Sequence, residues 1–273
     1  MMVDGQPEQP ALPADVWASG AAYEQWVGRW SRLVARGFLQ WLAVDTHSHW
    51  LDVGCGTGAL TQTILQNAQP RSVHGVDSSS AFLALAQQQV QDERVRFETG
   101  DAQALPVEDG AYTAVVSGLV LNFVPDPQRA LAEMVRAVRP GGVVAAYVWD
   151  YGGKMQLLRH FWNAATALDP AAAELDQGRR FPLCRPEPLT SLWQAANLRT
   201  LETLAIDINT DFVDFDDYWT PFTGGQGPAP GYTMALSAER RAALRERLRA
   251  ALPFALDGSV PLVARAWAIR GVR

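Results

Sequence analysis

From Trp50 onward, short apolar runs alternate with amphipathic stretches. The runs cover 50–53, 72–76, 95–98, 112–117 and 142–149, and read as apolar strands buried on both faces. Between them, 59–66, 79–91 and 127–138 carry apolar positions at helical spacing. This alternation predicts an α/β fold, a mainly parallel sheet with helices on both faces. Arg139-Pro140-Gly141-Gly142 ends a helix and opens the next strand, because proline and glycine both stop helical propagation. Upstream, 21–42 sets Trp26, Trp30, Val34, Phe38 and Trp41 on one helical stripe and Arg29, Arg32 and Arg36 on another face. After Asp150 the alternation loosens. Segments 155–168, 188–197 and 237–252 read as helices, and 201–208 and 260–269 as the last two strands. Between those strands lies 211–232, rich in glycine, proline and aromatics, which reads as a cap insertion. No internal repeat or separate second domain is visible.

Composition adds limits. With 273 residues and 48% apolar content the chain can bury a full core. A formal net charge of −6 argues against a nucleic-acid partner. The run of Arg240, Arg241, Arg245, Arg247 and Arg249 is interrupted by Glu239 and Glu246 and backed by Leu244, Leu248 and Leu252, as on a solvated amphipathic helix. No apolar run approaches the roughly 20 residues that span a bilayer. Residues 1–20, with Pro7, Pro10 and Pro13 and no basic cluster, read as a disordered tail and not a signal peptide. Cys55 and Cys184 make no disulfide framework, so a cytoplasmic protein is expected, as monomer or homodimer.

The chemistry starts at Trp50-Leu51-Asp52-Val53-Gly54-Cys55-Gly56-Thr57-Gly58. An apolar run feeding a glycine-rich loop and then a helix opens a nucleotide-binding unit, since the glycines turn tightly and admit a ligand close to the backbone. Asp52, placed before the glycines, suits a cationic or amine-bearing ligand better than a pyrophosphate. Val73-His74-Gly75-Val76-Asp77 follows, and a carboxylate ending the second strand can accept two hydrogen bonds from a ribose diol, or else cap the next helix. Thr99-Gly100-Asp101-Ala102 and Val116-Ser117-Gly118-Leu119-Val120-Leu121-Asn122-Phe123 end the next two strands.

Taken together, these four motifs resemble those of class I S-adenosylmethionine (SAM)-dependent methyltransferases, in particular the small-molecule branch related to quinone-biosynthesis C-methyltransferases. The resemblance runs from about Trp50 to Trp149. It implies a Rossmann-like seven-stranded sheet with the last strand antiparallel. It also implies one domain over 21–273: an N-terminal helical lid at 21–45, a cofactor-binding core at 46–150, substrate-side helices and the insertion at 151–259, and a closing strand at 260–273. By resemblance, Gly54, Cys55, Gly56, Thr57 and Gly58 form the cofactor loop, and Asp52 addresses the methionyl ammonium. Asp77 with Ser78 takes the ribose, Asp101 and Ala102 the adenine, and Ser117 and Gly118 the methionine moiety. Arg29 is the candidate for the methionyl carboxylate.

For the acceptor the sequence offers Trp30, Phe123, Trp149, Tyr151, Tyr218, Trp219, Phe222 and Tyr232 as an apolar lining suited to a small, aromatic or hydrophobic molecule. His160, Asp150 and Asn122 are the candidates for a catalytic group. A carboxylate-bound magnesium among Asp207, Asp211, Asp214, Asp216 and Asp217 lacks a diagnostic spacing, so no metal is expected. Methyl transfer from a sulfonium is an in-line displacement in which positioning and desolvation contribute most. A non-catalytic SAM-binding protein remains as an alternative. An NAD(P)-dependent oxidoreductase shares the strand–glycine–helix opening but fits the GxGxG spacing less well.

Overall fold

The computed structural model describes residues 28–224 and 227–273. The expected tail at 1–20 and the start of the N-terminal helical segment, with Trp26, lie outside the described residues. Seven strands form one sheet: β1 (His49–Val53), β2 (Ser72–Asp77), β3 (Val95–Thr99), β4 (Tyr112–Gly118), β5 (Val138–Trp149), β6 (Arg199–Asn209) and β7 (Val263–Val272). Their order is β3-β2-β1-β4-β5-β7-β6. Strands β1 to β5 pair in parallel, and β7 runs antiparallel to both β5 and β6. The order reverses between β1 and β4, and ligands of open parallel sheets bind beyond the carboxyl ends of the strands at such a switch point.

The inner strands β1, β2, β4 and β5 are buried on both faces, whereas the edge strands β3 and β6 are partly exposed. One face packs Val34, Phe38 and Leu42 of the helix Arg29–Leu42, Leu60 and Ile64 of the helix Ala59–Asn67, and Phe161 of the helix Gln156–Leu168. The other packs Leu131 and Met134 of the helix Pro127–Ala137 and Leu189 and Trp193 of the helix Pro186–Ala195. Helix starts follow local chemistry. Asp126 accepts from Arg129 N at 2.9 Å, Ser79 from Phe82 N at 3.3 Å and Ser237 from Arg240 N at 3.2 Å. Each satisfies an amide that the first helical turn leaves unpaired.

Two sequence expectations are corrected. The last strand begins at Val263, not 260, and runs on to Val272. Val260 is drawn instead into a bridge with Phe212, and Leu262 accepts from Thr210 N at 2.8 Å. The insertion is also not a glycine loop lined with rings. It folds into the helical turns Phe215–Trp219, Thr220–Thr223 and Pro228–Ala235. There Phe222 stacks on Phe161 with ring centroids 4.4 Å apart, and the buried Tyr218 hydroxyl donates to Leu157 O at 3.0 Å. Tyr218, Trp219 and Phe222 are therefore core of the cap, because large rings in a short insertion gain most by burying against the helix Gln156–Leu168.

Candidate active site

Asp52, the fourth residue of β1, is fully buried. Its Oδ2 accepts from the Thr61 hydroxyl at 2.7 Å, while its Oδ1 is buried with no hydrogen-bond partner. Burial pushes this carboxyl up to about 7, against the Thr61 hydrogen bond and with some help from the negative charge of Asp77. The loop that follows is left-handed at Gly54, Gly56 and Gly58, with φ of 72°, 54° and 87°. A Cβ at Gly54 would lie 2.6 Å from Val120, whereas one at Gly56 would meet nothing within 4 Å. The loop is therefore packed at its start and open at its middle.

Asp77, at the end of β2, reaches across to this loop. Its Oδ2 accepts from Gly56 N at 2.9 Å and its Oδ1 from Ser79 N at 2.8 Å. The helix-capping role is thus split between Asp77 and Ser79. Each Asp77 oxygen keeps a second lone pair for a ligand. Burial raises the pKa of this carboxyl too.

A cavity of about 300 Å³ opens beside these groups, lined by Asp52, Gly54, Cys55, Gly56, Thr57, Asp77, Ser78, Gly118, Leu119 and Phe123, among others. A second, of about 170 Å³, shares Gly54, Asp77, Ser78, Val120 and Phe123 with it and adds Gly100, Asp101 and Ala102. The ends of β1, β2, β3 and β4 thus meet in one cleft. Asp101 sits at its exposed end, its Oδ1 accepting from Gln103 N at 2.8 Å.

A cleft with one carboxylate at a glycine loop and another on the neighbouring strand is what the resemblance implies. The family model described as a methyltransferase domain matches residues 51–146. Among curated proteins, the chain is 42% identical over 98 residues to trans-aconitate 2-methyltransferase of Deinococcus radiodurans, a match spanning 36% of each chain. It is 38% identical over 121 residues to demethylmenaquinone methyltransferase of Lactiplantibacillus plantarum, spanning 37% of this chain and 51% of that one. The chain therefore covers between about a third and a half of these relatives' own length. The fold extends further than the sequence match. The YcgJ protein of Bacillus subtilis superposes with a TM-score of 0.55 at 18% identity, over 88% of this chain and 97% of that one. Phosphoethanolamine N-methyltransferase 2 of Haemonchus contortus, solved with S-adenosyl-L-methionine, does so with a TM-score of 0.54 at 17% identity, over 88% and 52%.

Around the cleft, the other sequence candidates separate. Ser117 is buried and its hydroxyl donates to Val53 O at 2.8 Å, so it clamps β4 to β1 and is not part of the cavity wall. Phe123 lines both cavities and meets Phe181 edge-on at 5.2 Å; Phe181 in turn meets Tyr151 at 5.8 Å. Trp30 and Trp149 belong to the apolar cluster under the N-terminal helix, and Tyr232 borders a separate small hollow with Leu168 and Arg240. Asp150 is a turn residue whose Oδ2 accepts from Lys154 N at 2.9 Å. His160 lies on the helix Gln156–Leu168, its pKa lowered by burial, and lines neither cavity. Asn122 precedes Phe123 in a short turn of helix, with its Oδ1 buried and unpaired. Arg29 binds Asp217 at 3.0 Å and stands apart from both cavity walls.

Sequence reasoning missed Ser31, Phe82, Leu119 and Tyr147 as cavity residues. Ser31 comes from the N-terminal helix, and only packing of that helix over Tyr147, through a Phe38 contact of 4.7 Å, puts it there. Leu119 is held at φ 65°, unusual for a side chain of its size, by a bond from its N to Tyr147 O at 2.7 Å. Among the described residues no cluster of His, Cys, Asp and Glu could hold a metal ion, and no helix is long and apolar enough to cross a membrane.

Proposed function

We propose that this protein is a SAM-dependent methyltransferase acting on a small, aromatic or hydrophobic acceptor. The observation that carries the reading is the pairing, in one cleft, of the unpartnered Asp52 Oδ1 with an Asp77 carboxylate that has acceptor capacity to spare. A buried carboxylate oxygen without a partner is costly, and an ammonium group offsets that cost. The open space over Gly56 lets a ligand lie against the backbone there. The residues present therefore fit the cofactor. When bound, SAM supplies an electrophilic methyl group on a sulfonium.

The protein's part is to hold and to dry the site. Asp52 holds the methionyl ammonium and Asp77 the ribose diol, while Asp101 and the Ala102 amide address the adenine from the second cavity. Phe123, with Phe181 and Tyr151 behind it, gives the acceptor an apolar wall that excludes water. Displacement at the sulfonium then relies on alignment and not on a dedicated base. The curated relatives are named for trans-aconitate and demethylmenaquinone, both small organic molecules, which supports an acceptor of that size.

Calorimetry tests the cofactor: binding of S-adenosylhomocysteine (SAH) with none of NAD is expected, and the opposite result overturns the reading. Incubation with methyl-labelled SAM and a metabolite extract tests turnover. A labelled product is expected, and its absence at saturating SAM leaves a binding protein instead.

A further inference from the structure

Buried polar atoms without partners are few in folded proteins, so a concentration of them marks a place that a ligand completes. On the N-terminal helix, Arg29 Nε and Nη2 and the adjacent Trp30 Nε1 are buried and unpaired among the described residues. All three can only donate.

The Arg29 guanidinium packs against two aromatic rings, with the centroid of Trp30 at 4.5 Å and that of Phe212 at 4.8 Å from its central carbon. Trp30 and Phe212 themselves meet edge to face at 5.9 Å. The Nη1 side is taken by Asp217 at 3.0 Å. What remains is the Nε–Nη2 edge, two parallel N–H donors at the spacing of the two oxygens of a carboxylate. The ring contacts and the Asp217 bond hold the group in place, so little conformational freedom is lost on pairing.

We propose that the Nε–Nη2 edge of Arg29 is a recognition site for a carboxylate on the methyl acceptor, a substrate class that rests on the methyltransferase reading. Arg29 is fixed by the cap, through Asp217 and Phe212, and lies outside the walls that hold Asp52 and Asp77. That position assigns it to the acceptor and not to the amino-acid end of the cofactor. The acceptor is then an aromatic or hydrophobic carboxylic acid with its carboxylate on Arg29.

The test uses benzoate and its neutral isostere benzamide, each titrated into the protein with and without saturating SAH. Benzoate binding at least tenfold tighter than benzamide is expected, and Arg29→Gln removes that preference while leaving SAH affinity within threefold. Equal binding of the two probes to the wild-type protein overturns the inference without recourse to any variant. A tenfold or greater loss of SAH affinity in Arg29→Gln also overturns it, because the edge then serves the methionyl carboxylate. Loss of SAH binding by the wild type, with the benzoate preference intact, overturns the methyltransferase reading and leaves the carboxylate edge standing.

Discussion

Asp52 sets a pH dependence that can be worked out from its surroundings. In the folded protein burial holds its proton on to about pH 7, against about 3.8 for an exposed aspartate. Between those values the folded state binds more protons than the unfolded one, so this residue lowers stability as pH rises from about 4 to 7. A bound ammonium reverses the effect by favouring the charged carboxylate. SAH is therefore expected to raise the thermal midpoint more at pH 7.5 than at pH 6, with proton release seen as a buffer-dependent binding heat. Asp52→Asn removes that buffer dependence. At Asp77, truncation to Ala removes both acceptors proposed for the ribose and is expected to weaken SAH binding more than about tenfold, roughly 1.4 kcal/mol, measured by calorimetry.

At the scale of elements, the glycine loop separates stability from affinity. Gly54→Ala puts a Cβ 2.6 Å from Val120 at a φ of 72°, so it is expected to lower the unfolding midpoint as well as SAH affinity. Gly56→Ala carries a left-handed backbone cost at φ 54° but meets no protein atom within 4 Å and lies on the cavity, so affinity falls while the midpoint drops less than in Gly54→Ala. Thermal unfolding and calorimetry on the two variants check the contrast. This loop, Asp77 and the strand–helix alternation were legible in the sequence because each depends on local spacing and on residue types with few substitutes. Ser117 was not. Its hydroxyl turned out to serve the Val53 carbonyl, a choice made by the pairing of β4 with β1 and not by its neighbours in sequence. Tyr147, Ser31 and Leu119 escaped for the same reason, since they enter the cavity through contacts between distant segments.

Over the whole molecule, the cap is a second packing centre and not a loose cover. Phe161, Phe222, Tyr218 and Phe212 are all essentially buried and joined ring to ring. Phe222→Ala is expected to cost about 3–5 kcal/mol of stability, read by chemical denaturation, while SAH affinity at conditions where the protein stays folded is unchanged. Aromatic content alone could not tell a wall from a core, because both use the same residues.

The position of β7 carries a further consequence, for the order in which the fold is assembled. Strands β1 to β5 pair among themselves, so the cofactor half can form from segments close in sequence. Strand β6 pairs only with β7, which is made after it and after the intervening cap. Until β7 slides between them, β6 has no partner and the cap is tethered at one end. Its docking closes the longest chain loop around the sheet, and such non-local contacts form slowly. β7 is thus the fastener of the sheet, joining β6 to the parallel half.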